Sequence, residues 1–150
     1  NACGRNDGAA VVLLMSGQKV QELGIKPMAK MIGYSTAGVD PRVMGIGPVP
    51  AVRKILKQLN MTIDQFDLIE LNEAFAAQCV ACIKLLDLDP DKVNTSGSGC
   101  SLGHPVAATG ARMLVTLVHE LRRRGGGIGV AAMCAGGGMG SATVIEVPAP

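Results

Sequence analysis

The sequence predicts a layered α/β domain: a mixed, mainly parallel sheet with buried central helices and a C-terminal β-hairpin. Three observations carry this. Short apolar runs alternate with segments whose apolar residues recur at helical spacing, the pattern of strand–helix–strand units. Near the end, the apolar runs "GIGVAAMC" and "SATVIEV" are joined by the glycine-rich "AGGGMG", a hairpin signature. Two helical segments, 74–86 and 106–118, are apolar on nearly every face, so protein must cover them on both sides.

Taken in order, the chain opens with "NACGRNDGAA" and is strand-like within its first ten residues. The apolar run "GAAVVLLMS" ends in Ser16, a capping residue, and "GQKVQELG" reads as a helix closed by Gly24. "MAKMIGYSTAGV" is a second strand. In "MGIGPVPAVRKILKQLN" the prolines stand in front and Val52, Ile55, Leu56 and Leu59 follow at helical spacing, which predicts a helix from near Pro50 to near Asn60. "FDLIELN" is a buried strand and "EAFAAQCVACIKLLDL" the helix after it. In "SGSGCSLGHPVAATGARMLVTLVHELRRRG", Pro105 is expected to open a helix with His104 at its cap. Unpaired amides and the positive end of a helix dipole would there disfavour imidazolium, leaving a neutral ring that can accept or share a proton.

A chain of 150 residues, 48% of them hydrophobic, supports one domain, residues 1–150. The formal charge of +2 is spread, and Arg122, Arg123 and Arg124 sit where a helix C-terminus explains them, so no nucleic-acid partner is expected. No run is long enough to span a bilayer, and no membrane partner is expected. Cys3, Cys79, Cys82, Cys100 and Cys134 make an odd count without a secretory signal. That favours a reducing compartment, the cytoplasm first, with mitochondrion and peroxisome open. Cys79 and Cys82 have CxxC spacing but no second ligand pair, so neither zinc nor another metal is expected. "GGGIG", "GGGMG" and "SGSGCSLG" lack the context or the lysine of nucleotide-binding loops. A start at Asn1, already strand-like, reads as a piece of something longer or as a processed chain.

Three polar residues share a placement. Asn72 ends the strand "DLIEL", His104 ends a glycine-rich segment, and Cys134 ends the strand "GIGVAAM", two residues before Gly136. In open α/β sheets the carboxyl ends of strands gather on one edge, where ligands bind. A thiol and a histidine can exchange protons there, and an amide can hold a water or donate to an oxyanion. Gly136 can offer a backbone N–H to a second oxyanion. Taken singly, Cys134 also reads as a buried apolar-like thiol and Asn72 as a helix cap.

Together, "NEAFA" at Asn72, "GHP" at His104 and "CAG" at Cys134 resemble the C-terminal half of the thiolase family. "NACGRNDGAAVVLLMS" and "GVDPRVMGIGPVPA" are similar to further family segments, so the likeness spans nearly the whole chain. The resemblance implies an acyltransferase of the acetyl-CoA C-acetyltransferase type. It would thiolyse a 3-oxoacyl-CoA such as acetoacetyl-CoA, or condense two acyl-CoA molecules. It also implies a nucleophilic cysteine in an N-terminal half absent from this sequence, activated by His104. Cys134 would move the α-proton, His104 and a water held by Asn72 would form one oxyanion hole, and the N–H of Gly136 would contribute to another. Acyl-CoA and coenzyme A are then substrates with no further cofactor, the missing half is a partner, and a homo-oligomer is expected. Such helices as 74–86 and 106–118 would form a central layer between two sheets. The sequence departs from the family where Ser98 replaces one of two adjacent glycines and Cys100 enters the loop. The competing reading is a non-catalytic half-domain that serves as an assembly partner.

Overall fold

The computed structural model describes residues 1–149. Strands β1 (Lys30–Gly38), β2 (Leu68–Leu71), β3 (Gly127–Ala135) and β4 (Met139–Val147) form one sheet in the order β1-β4-β3-β2. The α-helices are α1 (Gly17–Glu22), α2 (Pro48–Leu59), α3 (Ala76–Leu86), α4 (Gly99–Leu102) and α5 (Thr109–Arg123). β4 pairs antiparallel with β1 and β3, whereas β2 and β3 pair in parallel. Three strands therefore share one direction, and β4 is reversed because a tight turn at 136–138 returns it beside β3. The sheet is mixed as expected, but only one pair of neighbouring strands is parallel.

Side-chain alternation sorts the core into two halves. Ile69, Leu71, Val130, Ala132 and Val144 face α2 and α3, packing with Val52, Ile55, Cys82 and Leu86. Leu68, Ala131, Ile145 and Val147 face α5, which presents Met113, Leu117 and Leu121 at four-residue spacing. β2 is thus buried on both faces, the reason its segment reads as an unbroken apolar run. α2 ends at Asn60 in a left-handed conformation, where the sequence places its end.

Two expectations need correction. Helices α3 and α5 lie on opposite faces of the sheet, so they cannot belong to one central layer. Their outer sides are only partly covered by the described residues: Val80 and Leu85 of α3 are exposed, and Val115 of α5 is half-buried. The N-terminal apolar run also forms no strand. Residues 8–15 make no sheet pairing, and Val11, Leu13 and Leu14 are 88%, 81% and 72% exposed. Apolarity signalled a need for burial there, but no strand of this sheet takes the segment up.

One crossing sets the height of the hairpin. A Cβ on Gly140 would run into the carbonyl oxygen of Gly47, at the start of α2, and one on Gly47 would lie 2.5 Å from the carbonyl oxygen of Met139. The two backbones meet with no room for a side chain. Gly140 is the cross-strand partner of Cys134, so the crossing also fixes where that cysteine stands.

Candidate active site

Parallel pairing of Leu71 with Ala132 sets the carboxyl ends of β2 and β3 side by side, and Asn72 N–H donates to the Ala132 carbonyl at 3.0 Å. Asn72 is 1% exposed, yet neither Nδ2 nor Oδ1 has a hydrogen-bond partner among the described residues. An unpaired buried amide costs about 1–3 kcal/mol. A buried amide of this kind has hydrogen-bonding capacity that a ligand or an ordered water could take up.

Cys134 follows near the end of β3 and is 8% exposed. Burial raises its pKa, a backbone hydrogen bond opposes the rise, and the nearby Cys3 adds to it. At neutral pH the group is a thiol that still carries its proton. A buried thiol on a strand end suits proton donation better than unassisted nucleophilic attack.

His104 is not a helix cap. α5 begins at Thr109 with Ala108 as its cap, and Pro105 opens a separate turn whose carbonyl accepts from Ala108 N at 2.7 Å and Thr109 N at 2.9 Å. The helix-dipole argument therefore does not apply to the imidazole. Its backbone is held instead by the N-terminal segment, since His104 N–H donates to Gly4 O at 3.0 Å and to Asn6 Oδ1 at 3.1 Å. Gly103 has φ +102°, and Asn6 Oδ1 occupies the space a Cβ would need, so glycine is required before the histidine.

The ring is held by Thr109, a fully buried residue whose Oγ1 lies 2.6 Å from His104 Nδ1 and 3.0 Å from the Pro105 carbonyl. With the hydroxyl proton directed at Pro105, Thr109 accepts from Nδ1–H and Nε2 is left bare, a base. With the hydroxyl turned to Nδ1, Nε2 carries the proton and can donate to an oxyanion. The Pro105 carbonyl tolerates either state because two backbone N–H groups also reach it. One hydroxyl thus serves both tautomers.

Residues 1–6 tie these parts together. Asn1 O accepts from Ala76 N at 2.8 Å and Cys3 N–H donates to Ala74 O at 3.1 Å, before Gly4 and Asn6 hold His104. From the other side Ser98, fully buried, donates to Leu71 O at 3.1 Å, and Gly99 backs onto Asn72 and Glu73. Asn72, His104 and Cys134 are therefore gathered on the carboxyl edge of the sheet. Gly136 lies beyond them in the hairpin turn, exposed, with open space where a Cβ would stand. Nothing among the described residues demands glycine at that position.

Of the other cysteines, Cys79 and Cys82 are buried in α3; burial foremost pushes Cys79 up to about 12 and raises Cys82. Cys100 is exposed, its thiol 3.6 Å from the Glu73 carbonyl. Among the described residues no three metal-ligating side chains cluster.

Sequence reasoning missed Thr109 and a buried ion pair. Glu70 of β2 accepts from Arg112 of α5 at 2.8 Å, bracing the strand that carries Asn72 against the helix that carries Thr109. Burial drives Glu70 up to about 7 although Arg112 pulls it down. The available signal was a charge inside the apolar run "DLIEL", which demands a partner.

Residues 25–147 match the family described as thiolase, C-terminal domain. The chain belongs to the thiolase family. It is 53% identical over 148 residues to an acetyl-CoA acetyltransferase of Syntrophomonas wolfei subsp. wolfei, covering 97% of this chain and 37% of that one. The crystal structure of the Bacillus anthracis acetyl-CoA acetyltransferase superposes with a TM-score of 0.96 at 56% identity, over 98% of this chain and 37% of the other. The Acat5 thiolase of Ascaris suum, solved in complex with coenzyme A, gives 0.84 at 45% identity over 88% and 34%. This thiolase chain thus spans less than two fifths of the length of the relatives it matches. No helix among its described residues is long and apolar enough to cross a membrane.

Proposed function

We propose that residues 1–150 are the C-terminal half of an acyl-CoA C-acetyltransferase that cleaves or makes 3-oxoacyl-CoA, acetoacetyl-CoA being the simplest case. The observation that carries this reading is the shared edge of Asn72, His104 and Cys134: a buried amide with free hydrogen bonds, an imidazole with a two-way hydroxyl, and a proton-bearing thiol.

In thiolysis, His104 Nε2 takes the proton of a nucleophilic cysteine supplied by the N-terminal half, and that sulfur bonds to C3 of the substrate. The C2–C3 bond breaks, the electron pair goes to C2, and the acetyl-CoA enolate forms. Cys134 gives its proton to C2, which suits a thiol kept protonated by burial. His104 and a water on Asn72 hold the enolate oxygen, while the N–H of Gly136 faces the oxygen of the tetrahedral intermediate. Coenzyme A then attacks the acyl-enzyme, losing its thiol proton to the Cys134 thiolate, and leaves as the shortened acyl-CoA. Coenzyme A thioesters suffice for this chemistry without another cofactor. The N-terminal half is the obligatory partner, the assembly is a homo-oligomer, and the reduced thiols suit the cytoplasm.

The test is thiolysis of acetoacetyl-CoA by the full-length protein, followed as loss of the 3-oxoacyl-CoA absorbance. Activity that falls by about 10²–10⁴-fold in His104→Ala and in Cys134→Ser, with the fold retained, supports the assignment. A folded full-length protein without turnover of any 3-oxoacyl-CoA would return the chain to the assembly-partner reading.

A further inference from the structure

We propose that Asn94 and Ser98 are positioning residues that aim the Asn72 amide at the reacting oxygen, an inference that rests on the thiolase reading above. Asn72 Nδ2 and Oδ1 have no hydrogen-bond partner among the described residues, so the backbone alone sets the direction of the amide. On one side β3 fixes that backbone, through Asn72 N–H and the Ala132 carbonyl. On the other side β2 is the edge of the sheet, and its last residue, Leu71, is 1% exposed. A buried peptide at an edge needs partners from elsewhere.

Asn94 supplies them. Val93 bridges to Ile69 in parallel and Asn94 N–H donates to the Ile69 carbonyl at 2.9 Å, so the chain starts along β2 as a further strand would. At Asn94, with φ +51°, it turns away, and the side chain takes over from the backbone. Its Oδ1 accepts from Leu71 N–H at 2.8 Å and its Nδ2 donates to the Leu71 carbonyl at 2.8 Å. A side-chain amide carries the same donor and acceptor as a peptide, so one residue completes the ladder that the backbone leaves. Nδ2 also reaches Glu73 Oε1 at 3.1 Å, while Glu73 Oε2 accepts from Cys100 N–H at 3.0 Å. Ser98 comes back from the turn, and its buried hydroxyl gives the Leu71 carbonyl a second donor at 3.1 Å. Asn72 thus stands between two residues clamped by side chains of one loop, and the clamp reaches the amide only through the backbone.

The experiment is a double-mutant cycle in the full-length enzyme, read as kcat and KM for thiolysis of acetoacetyl-CoA. Asn94→Gly keeps the left-handed backbone and removes the clamp, and Ser98→Ala removes one donor. An amide aimed at an oxygen whose charge develops during the reaction acts on kcat rather than on KM. In Asn94→Gly, kcat falls by about 10- to 100-fold with KM within about twofold, and in Ser98→Ala kcat falls by about 3- to 10-fold. In an Asn72→Ala background, with no amide left to aim, each change lowers kcat by less than about twofold further. A merely structural role carries the full loss into that background, and this result overturns the proposal. A kcat within about twofold of the natural value in either folded variant overturns it too. Should Asn94→Gly not fold, Ser98→Ala decides by the same cycle. A natural full-length protein that turns over no 3-oxoacyl-CoA defeats the thiolase reading, and this proposal with it, before any variant is made.

Discussion

Thr109 Oγ1 lies 2.6 Å from Nδ1 of His104, and the hydroxyl has a second acceptor in the Pro105 carbonyl. The threonine is fully buried. It lets the neutral imidazole carry its proton on either nitrogen and keep a hydrogen bond at Nδ1 in both cases.

Replacing Thr109 with valine keeps the shape and removes both bonds. We expect Thr109→Val in the full-length enzyme to lower kcat by about 10- to 100-fold, the worth of a hydrogen bond of about 1–3 kcal/mol. KM for coenzyme A should move little, and Thr109→Ser should restore most of kcat. Steady-state kinetics on the three proteins decide this; a kcat in Thr109→Val within twofold of the natural value would reduce Thr109 to a packing residue.

Glu70 supplies the pH prediction. Its pKa rises from the usual 4.5 to about 7, chiefly through burial and against the pull of Arg112. Between those values the folded state keeps a proton that the unfolded chain has released. Stability therefore falls as pH rises through that window, by at most a few kcal/mol, on the order of 3. Glu70→Gln cannot titrate and still offers Arg112 an oxygen. Melting temperatures across pH 4–8 should decline less steeply in the variant, and parallel curves for the two proteins would sink the assignment.

Glu70 also shows where the sequence stops being informative. The strand around it was legible because Leu68, Ile69 and Leu71 are apolar on both faces, and Asn72 and Cys134 could be placed because strand ends are marked by the first polar residue after such a run. The partner of Glu70 was not legible, since Arg112 is distant in sequence and only the packing of α5 on β2 brings it near. Pro105 misled for a local reason. Proline suits the first position of a turn as well as of a helix, and here residues 106–108 form a turn before α5 starts at Thr109. The run at 11–14 misled because apolarity reports that a segment needs cover without saying which strand provides it.

The five cysteines should separate by reactivity. Cys100 is exposed and Cys3 half-buried, while Cys79, Cys82 and Cys134 are buried with raised pKa values. Alkylation needs both access and thiolate. In a pulse of iodoacetamide at pH 8 followed by peptide mass analysis, Cys100 should be modified first and Cys79 and Cys82 more slowly by at least about 100-fold. Equal labelling of Cys79 and Cys100 in folded protein would mean that α3 opens far more readily than its packing allows.

The last prediction concerns the 150-residue chain on its own. Val11, Leu13 and Leu14 stand 88%, 81% and 72% exposed in a segment with unpaired backbone, and the outer sides of α3 and α5 add further apolar surface. A segment whose backbone N–H and C=O groups are unpaired is open to pairing with another chain, and covering apolar area contributes roughly 25 cal/mol per Å². The chain should therefore self-associate at micromolar concentration. Replacing Val11 and Leu13 by lysine puts charge on this segment without touching either core, so the double variant should sediment closer to the monomer while its melting temperature holds. Sedimentation velocity on both proteins, with a dye that binds exposed apolar surface as a second probe, separates the outcomes. A natural chain that is monomeric and binds no dye would show that residues 8–15 find cover within the fold. Association that persists in the double variant would move the contact to the exposed sides of α3 and α5.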